Sequence, residues 1–173
     1  LVSPSSTSPL LSDGRAYRYF ARTVPADTAR ASMMIDLIKF LFGLTSVALA
    51  RSSDAFGLGG GQAVRLVAVA EGVEVVGEAV FSPGTVDFTS QFDELRRVAA
   101  RVIVVFCQEN DMRRFVFGAA RSSPPIGGPG YLWFLGLAVS PSFWSDGPDL
   151  QIDAAQVRGV PPHPVLGSPG RCC

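Results

Sequence analysis

Strand-like and helical segments alternate without a break from Tyr17 to Leu137, and that alternation leaves few folds open to the chain. A strand, a crossover helix and a further strand bring the backbone back to the same sheet in the same direction, so repeated units give a parallel sheet covered by helices. Leu1 to Ser12 is rich in Ser and Pro and reads as loop. Tyr17 to Val24 reads as a short strand that Pro25 stops, and Asp27 is placed to cap a helix from Thr28. Met34, Ile35, Ile38, Leu41 and Phe42 recur at helical spacing opposite Ser32, Asp36 and Lys39, with Gly43 at the helix end. Leu44 to Ala50 then reads as a strand, Ser52 to Gly61 as a glycine-rich loop, Gln62 to Glu71 as a helix and Val73 to Phe81 as a strand. Phe88, Phe92, Leu95 and Ala99 predict one face of a third helix, and Met112, Phe115, Val116 and Ala119 that of a fourth. Between them Arg101 to Cys107 carries the unbroken apolar run Val102 to Phe106, the pattern of a strand buried on both sides. Pro124 to Gly130 is a connector and Tyr131 to Leu137 a last strand. The expected fold class is α/β, a mostly parallel sheet with helices on both faces.

Composition narrows the functional classes. Hydrophobic residues make up 47% and charged residues 17% of the 173, which supports a packed core. The formal net charge is zero, so no basic excess points to nucleic acid and no acidic run to a solvating tail. The apolar stretch Met33 to Ala50 is interrupted by Asp36 and Lys39 and divided by Gly43, and reads as a helix followed by a strand rather than a membrane span. No signal-peptide pattern is seen. From Ser145 to Cys173 Pro, Gly and Ser dominate and periodicity is lost, so this tail is expected to be poorly ordered.

Catalytic and cofactor motifs find little support. The run Gly57-Leu58-Gly59-Gly60-Gly61 stands where a phosphate cradle would, but the third glycine of the dinucleotide fingerprint falls on Gln62 and no lysine follows. Ser5, Ser6, Ser8 and Ser12 lack a glycine elbow, and the lone His163 has no metal-ligand neighbours. Cys107 sits in an apolar run as a buried thiol, and Cys172–Cys173 lack zinc-site spacing. No catalytic residue, no metal and no cofactor is expected.

One block is more specific. Ser5-Ser6-Thr7-Ser8-Pro9-Leu10-Leu11-Ser12-Asp13 is followed by Tyr19-Phe20-Ala21-Arg22-Thr23-Val24-Pro25-Ala26-Asp27. It resembles the ligand-binding region shared by class C G-protein-coupled receptors (metabotropic glutamate and type B GABA receptors) and natriuretic peptide receptors. The resemblance continues through Ala100 to Cys107 and into Tyr131 to Leu135. It implies a clamshell of the periplasmic-binding-protein-like I kind, present here mainly as its second lobe. Residues 1–26 would be the end of the first lobe with its crossover, 27–144 the second lobe, and 145–173 the tail. The rest of the first lobe is expected upstream of Leu1. Membrane attachment would come only through regions outside this chain, with the domain on the extracellular side of the plasma membrane.

By the same resemblance, Ser5, Ser6 and Thr7 would bind the α-carboxylate and amino group of an amino-acid-like ligand. Asp27 would face its ammonium, a role compatible with helix capping. Phe56, before Gly57, takes the place of a ligand-stacking aromatic, or is a packed loop aromatic. Gly136-Leu137-Ala138 stands where the glutamate receptors carry G-S-D, which removes an ammonium-binding carboxylate. The implied activity is non-enzymatic ligand sensing by lobe closure, with a receptor dimer partner. The rivals are a solute-binding protein of an amino-acid transporter, a receptor guanylate cyclase ectodomain and a flavodoxin-like enzyme.

Overall fold

A computed structural model describes residues 1–127 and 130–144. The expectation for the Ser145–Cys173 tail therefore lies outside the described residues. The chain opens with strand β1 (Val2–Ser3), passes through a 3-10 turn at Pro9–Ser12 and pairs β1 in parallel with β2 (Ala21–Arg22). Helix α1 (Asp27–Asp36) follows, then strand β3 (Ser46–Ser52), helix α2 (Ala55–Glu71) and strand β4 (Glu74–Phe81). Helix α3 (Thr89–Arg97), strand β5 (Val102–Phe106), helix α4 (Glu109–Arg121) and strand β6 (Leu132–Leu135) complete the repeat.

The four-stranded sheet has the order β4-β3-β5-β6, and every pairing is parallel. Successive side chains of a strand point to opposite faces. Val47 and Leu49 of β3, with Val102, Val104 and Phe106 of β5, meet Ala31 and Ile35 of α1, Ile38 just after it, and Ala63, Val64 and Ala68 of α2. On the other face Ala48, Ala50, Ile103 and Val105 meet Phe92 and Leu95 of α3 and Met112, Phe115 and Ala119 of α4. Helices thus cover both faces, as the alternation predicts. The continuous apolar run of β5 is buried along its whole length for the same reason.

Several local expectations are corrected. The glycine run is not a loop: α2 begins at Ala55, and the Asp54 side chain caps it by accepting from the Gly57 N–H at 2.8 Å. A glycine inside a helix costs about 1 kcal/mol relative to alanine. Close approach to the sheet explains why it is tolerated: a Cβ at Gly57 would stand 2.1 Å from the Ser52 carbonyl oxygen, and one at Gly60 would stand 1.9 Å from the Phe106 ring. After α1 the chain continues as a π-helical turn over Leu37–Leu41. The wider turn carries following residues off the buried stripe, so Ile38 is buried while Leu41 and Phe42, expected on the apolar face, are exposed. Ala99 is not on the third helix's face either. It lies past the helix end with φ of 52°, and Ala100 is buried in its stead. The strand expected from Tyr17 to Val24 is reduced to Ala21–Arg22 because only this stretch has a partner, in β1.

Candidate functional site

In this sheet β3 is followed by β4 on one side and has β5 on the other, so the chain reverses its direction of winding between β3 and β5. The crevice outside the carboxyl ends of strands at such a point is where α/β sheets bind ligands. Around this edge stand the start of α2 after β3, the start of α4 after β5, Gly136 after β6 and the start of α1.

Asp27 is the central group. It is buried at 1% exposure and is the first residue of α1, but it does not cap the helix. Ala26 holds the cap position, and no side-chain cap bond forms. The expected capping role is thus corrected: the Asp27 carboxylate is engaged elsewhere. Its backbone N–H donates to the Thr7 carbonyl at 2.9 Å, and the Thr7 side chain helps hold its carboxyl down. The Arg30 Nη1 lies 3.3 Å from Asp27 Oδ1 and donates to the Gly136 carbonyl at 2.6 Å. Burial pushes the Asp27 carboxyl above its ordinary range, against the pull of the Thr7 bond and the positive Arg30 and Arg22.

Ser5, Ser6 and Thr7 form a tight loop. The Ser6 N–H donates to Ser3 Oγ at 3.1 Å, and the Ser3 hydroxyl donates to Ser6 Oγ at 2.7 Å. Ser5 is exposed, its N–H 3.4 Å from the same Ser3 oxygen. Arg22 holds the loop from behind: Nη1 donates to the carbonyls of Ser6 at 3.4 Å and Ser8 at 2.9 Å, and Nη2 donates to Ser12 Oγ. The loop's shape is thus fixed by internal bonds, and the Ser5 side chain is turned to solvent.

Phe56 stands in the first turn of α2, where a loop position was expected. Its ring is half-buried and packs on Phe106 with centroids 6.0 Å apart, as part of the α1–α2 core. One turn on, a Cβ at Gly59 would stand 3.9 Å from both Asp27 Oδ2 and Pro9 Cδ, so α2 closes over the Asp27 carboxylate. The structure therefore joins Thr7 to Asp27, keeps Ser5 and Ser6 on the adjoining loop, and turns Phe56 toward the core.

Sequence reasoning missed Arg30, and it marked Gly136 only as the start of a segment lacking a carboxylate, not as the acceptor of an Arg30 bond. The signal for Arg30 was its position three residues after Asp27 on the same helix face. Glu109, in the first turn of α4, holds the loop after β6. Its carboxylate accepts from the Ser140 N–H at 3.0 Å and from the Ser140 hydroxyl, and these bonds pull its carboxyl down. Burial, with the charges of Asp111 and Asp54, pushes the Cys107 thiol up to about 12, so it carries no thiolate near neutral pH. Among the described residues no group of His, Cys, Asp and Glu could hold a metal ion, and no helix is long and apolar enough to cross a membrane.

Comparison with known proteins adds the family context. Residues 1–161 match the family described as receptor family ligand binding region. The chain is 32% identical over 127 residues to metabotropic glutamate receptor 4 of Mus musculus, covering 70% of this chain and 14% of the relative. It is 30% identical over 136 residues to metabotropic glutamate receptor 6 of Rattus norvegicus, covering 76% of this chain and 15% of the relative. The chain thus spans about a seventh of the length of these curated relatives.

Proposed function

The chain belongs to the receptor family ligand binding region, and on that premise we propose that it is a non-enzymatic ligand-sensing module for a small amino-acid-like ligand. Residues 1–26 act as the end of one lobe and its crossover, and 27–144 as most of the second lobe, with the cleft at the carboxyl edge of the sheet. Ser5, Ser6 and Thr7 receive the ligand's carboxylate and amino group and Asp27 attracts its ammonium, while Phe56 backs the cleft from its core side. A ligand that touches both lobes favours the closed arrangement by its differential affinity, and closure passes to a dimer partner. The module works on the extracellular side of the plasma membrane.

The observation that carries this reading is the joining of Thr7 to Asp27. A hydroxyl-rich loop and a buried carboxylate from segments twenty residues apart meet at the edge where such sheets bind ligands. A buried carboxylate with a raised pKa is also the kind of group found at functional sites. The test is calorimetry on the chain with a panel of amino acids that includes glutamate and GABA. Each lost hydrogen bond to a charged ligand group weakens binding by about 1.5–3 kcal/mol, or one to two decades. With only the end of the first lobe facing the second, affinity in the millimolar range is expected, weakened further by Asp27→Asn and by Thr7→Val. Binding that ignores both substitutions would show that the site lies elsewhere.

A further inference from the structure

We propose that Arg30 is a carboxylate-binding residue of this site, and that the site accepts a small carboxylate whether or not it carries an ammonium group. The inference rests on the ligand-sensing reading and adds a recognition element to it. Both of the guanidinium's protein bonds come from one nitrogen: Nη1 meets Asp27 Oδ1 at 3.3 Å and the Gly136 carbonyl at 2.6 Å. Among the described residues Nε and Nη2 make no hydrogen bond, and neither is a buried polar atom without a partner. The side chain is 25% exposed, so this edge faces solvent.

Nε and Nη2 form the planar two-donor edge that matches the two oxygens of a carboxylate. Its direction is fixed in advance. The inward nitrogen ties Arg30 to its own helix and to the residue after β6, so little rotamer freedom remains to be lost when an anion arrives. The local charge agrees. Asp27 is flanked by two cations, Arg30 and Arg22, and Arg22 spends its donors on Ser6, Ser8 and Ser12. Arg30 is therefore the cation of the pair with an edge to offer.

The test is NMR titration of the whole chain with glutarate, a dicarboxylate lacking an ammonium, beside glutamate. Glutarate is expected to shift the Arg30 Nε–H and the Gly136 amide saturably in the millimolar range. Arg30→Gln should weaken it about tenfold or more, and Arg30→Lys, which keeps the charge without the fork, by less. The double variant Asp27→Asn/Arg30→Gln removes the unpaired buried charge and should fold, yet still lose glutarate. Equal glutarate binding by the wild type and the double variant overturns the proposal. Glutamate binding with glutarate silent overturns it alone and leaves the ligand-sensing reading standing. Silence toward both at 50 mM ligand, roughly the ceiling for a weak one-lobe site, overturns both.

Discussion

The two faces of the sheet are packed by different means. Under α3 and α4 the core is aromatic: Phe115 stacks on Phe81 at 5.1 Å, meets Phe88 edge-on at 5.1 Å and lies 5.2 Å from Phe92. Under α1 and α2 it is built mainly from Ala, Val, Ile and Leu with Met34 and Phe106, and Gly57 and Gly60 let α2 come close to the backbone of β3 and the ring of Phe106. One face fills space with large side chains; the other removes side chains so that the elements themselves approach. The first should fail by leaving cavities, the second by overcrowding.

The largest effect is expected at the centre of the aromatic face. Phe115 is fully buried, and Phe115→Ala should cost about 3–5 kcal/mol, read as a lower denaturation midpoint in urea at unchanged slope. On the glycine face two neighbouring positions should move in opposite directions. Gly60→Ala puts a methyl into the Phe106 ring and should destabilise by about 1–3 kcal/mol despite the better helix propensity. Gly59→Ala meets only ordinary contacts at 3.9 Å and should stabilise by up to about 1 kcal/mol. If both alanines stabilise, the close-packing account of α2 is wrong.

A pH effect comes next. Burial raises the folded-state Asp27 carboxyl above its ordinary value of 3.8, so the folded chain holds this proton more tightly than the unfolded one. The stability this contributes is complete below 3.8 and is lost as pH rises through the raised folded value. Asp27→Asn should flatten that part of the profile in urea melts taken from pH 3 to 7, a range that spans the usual carboxylate titration. A profile unchanged by the substitution would mean that Asp27 is solvated as in the unfolded chain. The smallest effect belongs to the exposed Arg97–Glu94 pair on α3: Arg97→Ala should leave the midpoint where it was.

The contrast between faces also marks what could be read from the sequence. The aromatic face was legible because large residues at i and i+4, such as Phe88 and Phe92, announce a helix whatever surrounds them. The order of elements and the parallel sheet followed from the same periodicity. On the other face the signals mislead. Glycines speak for a loop when counted by propensity, and only the position of Phe106 shows that they belong to a helix. The π turn likewise depends on hydrogen-bond register, which residue types do not reveal. The candidate site sits at the edge of this second face and shares the difficulty. Asp27 suited a helix cap by type and spacing, but its partner Thr7 lies twenty residues upstream, and Arg30 beside it is tied to Gly136 just past β6. Phe56 carried the right residue type for stacking, while the helix that bears it turns the ring toward Phe106.

The central claim is that Asp27 stands in a ligand cleft, and its carboxyl reports on this directly. The carboxyl 13C resonance of Asp27 can be followed against pH without ligand and with saturating glutamate or GABA. An ammonium brought beside the carboxylate favours the ionised form, so the ligand should lower the Asp27 pKa from its raised unliganded value. A titration curve that the ligand leaves in place, while resonances elsewhere on the chain move, would contradict the site.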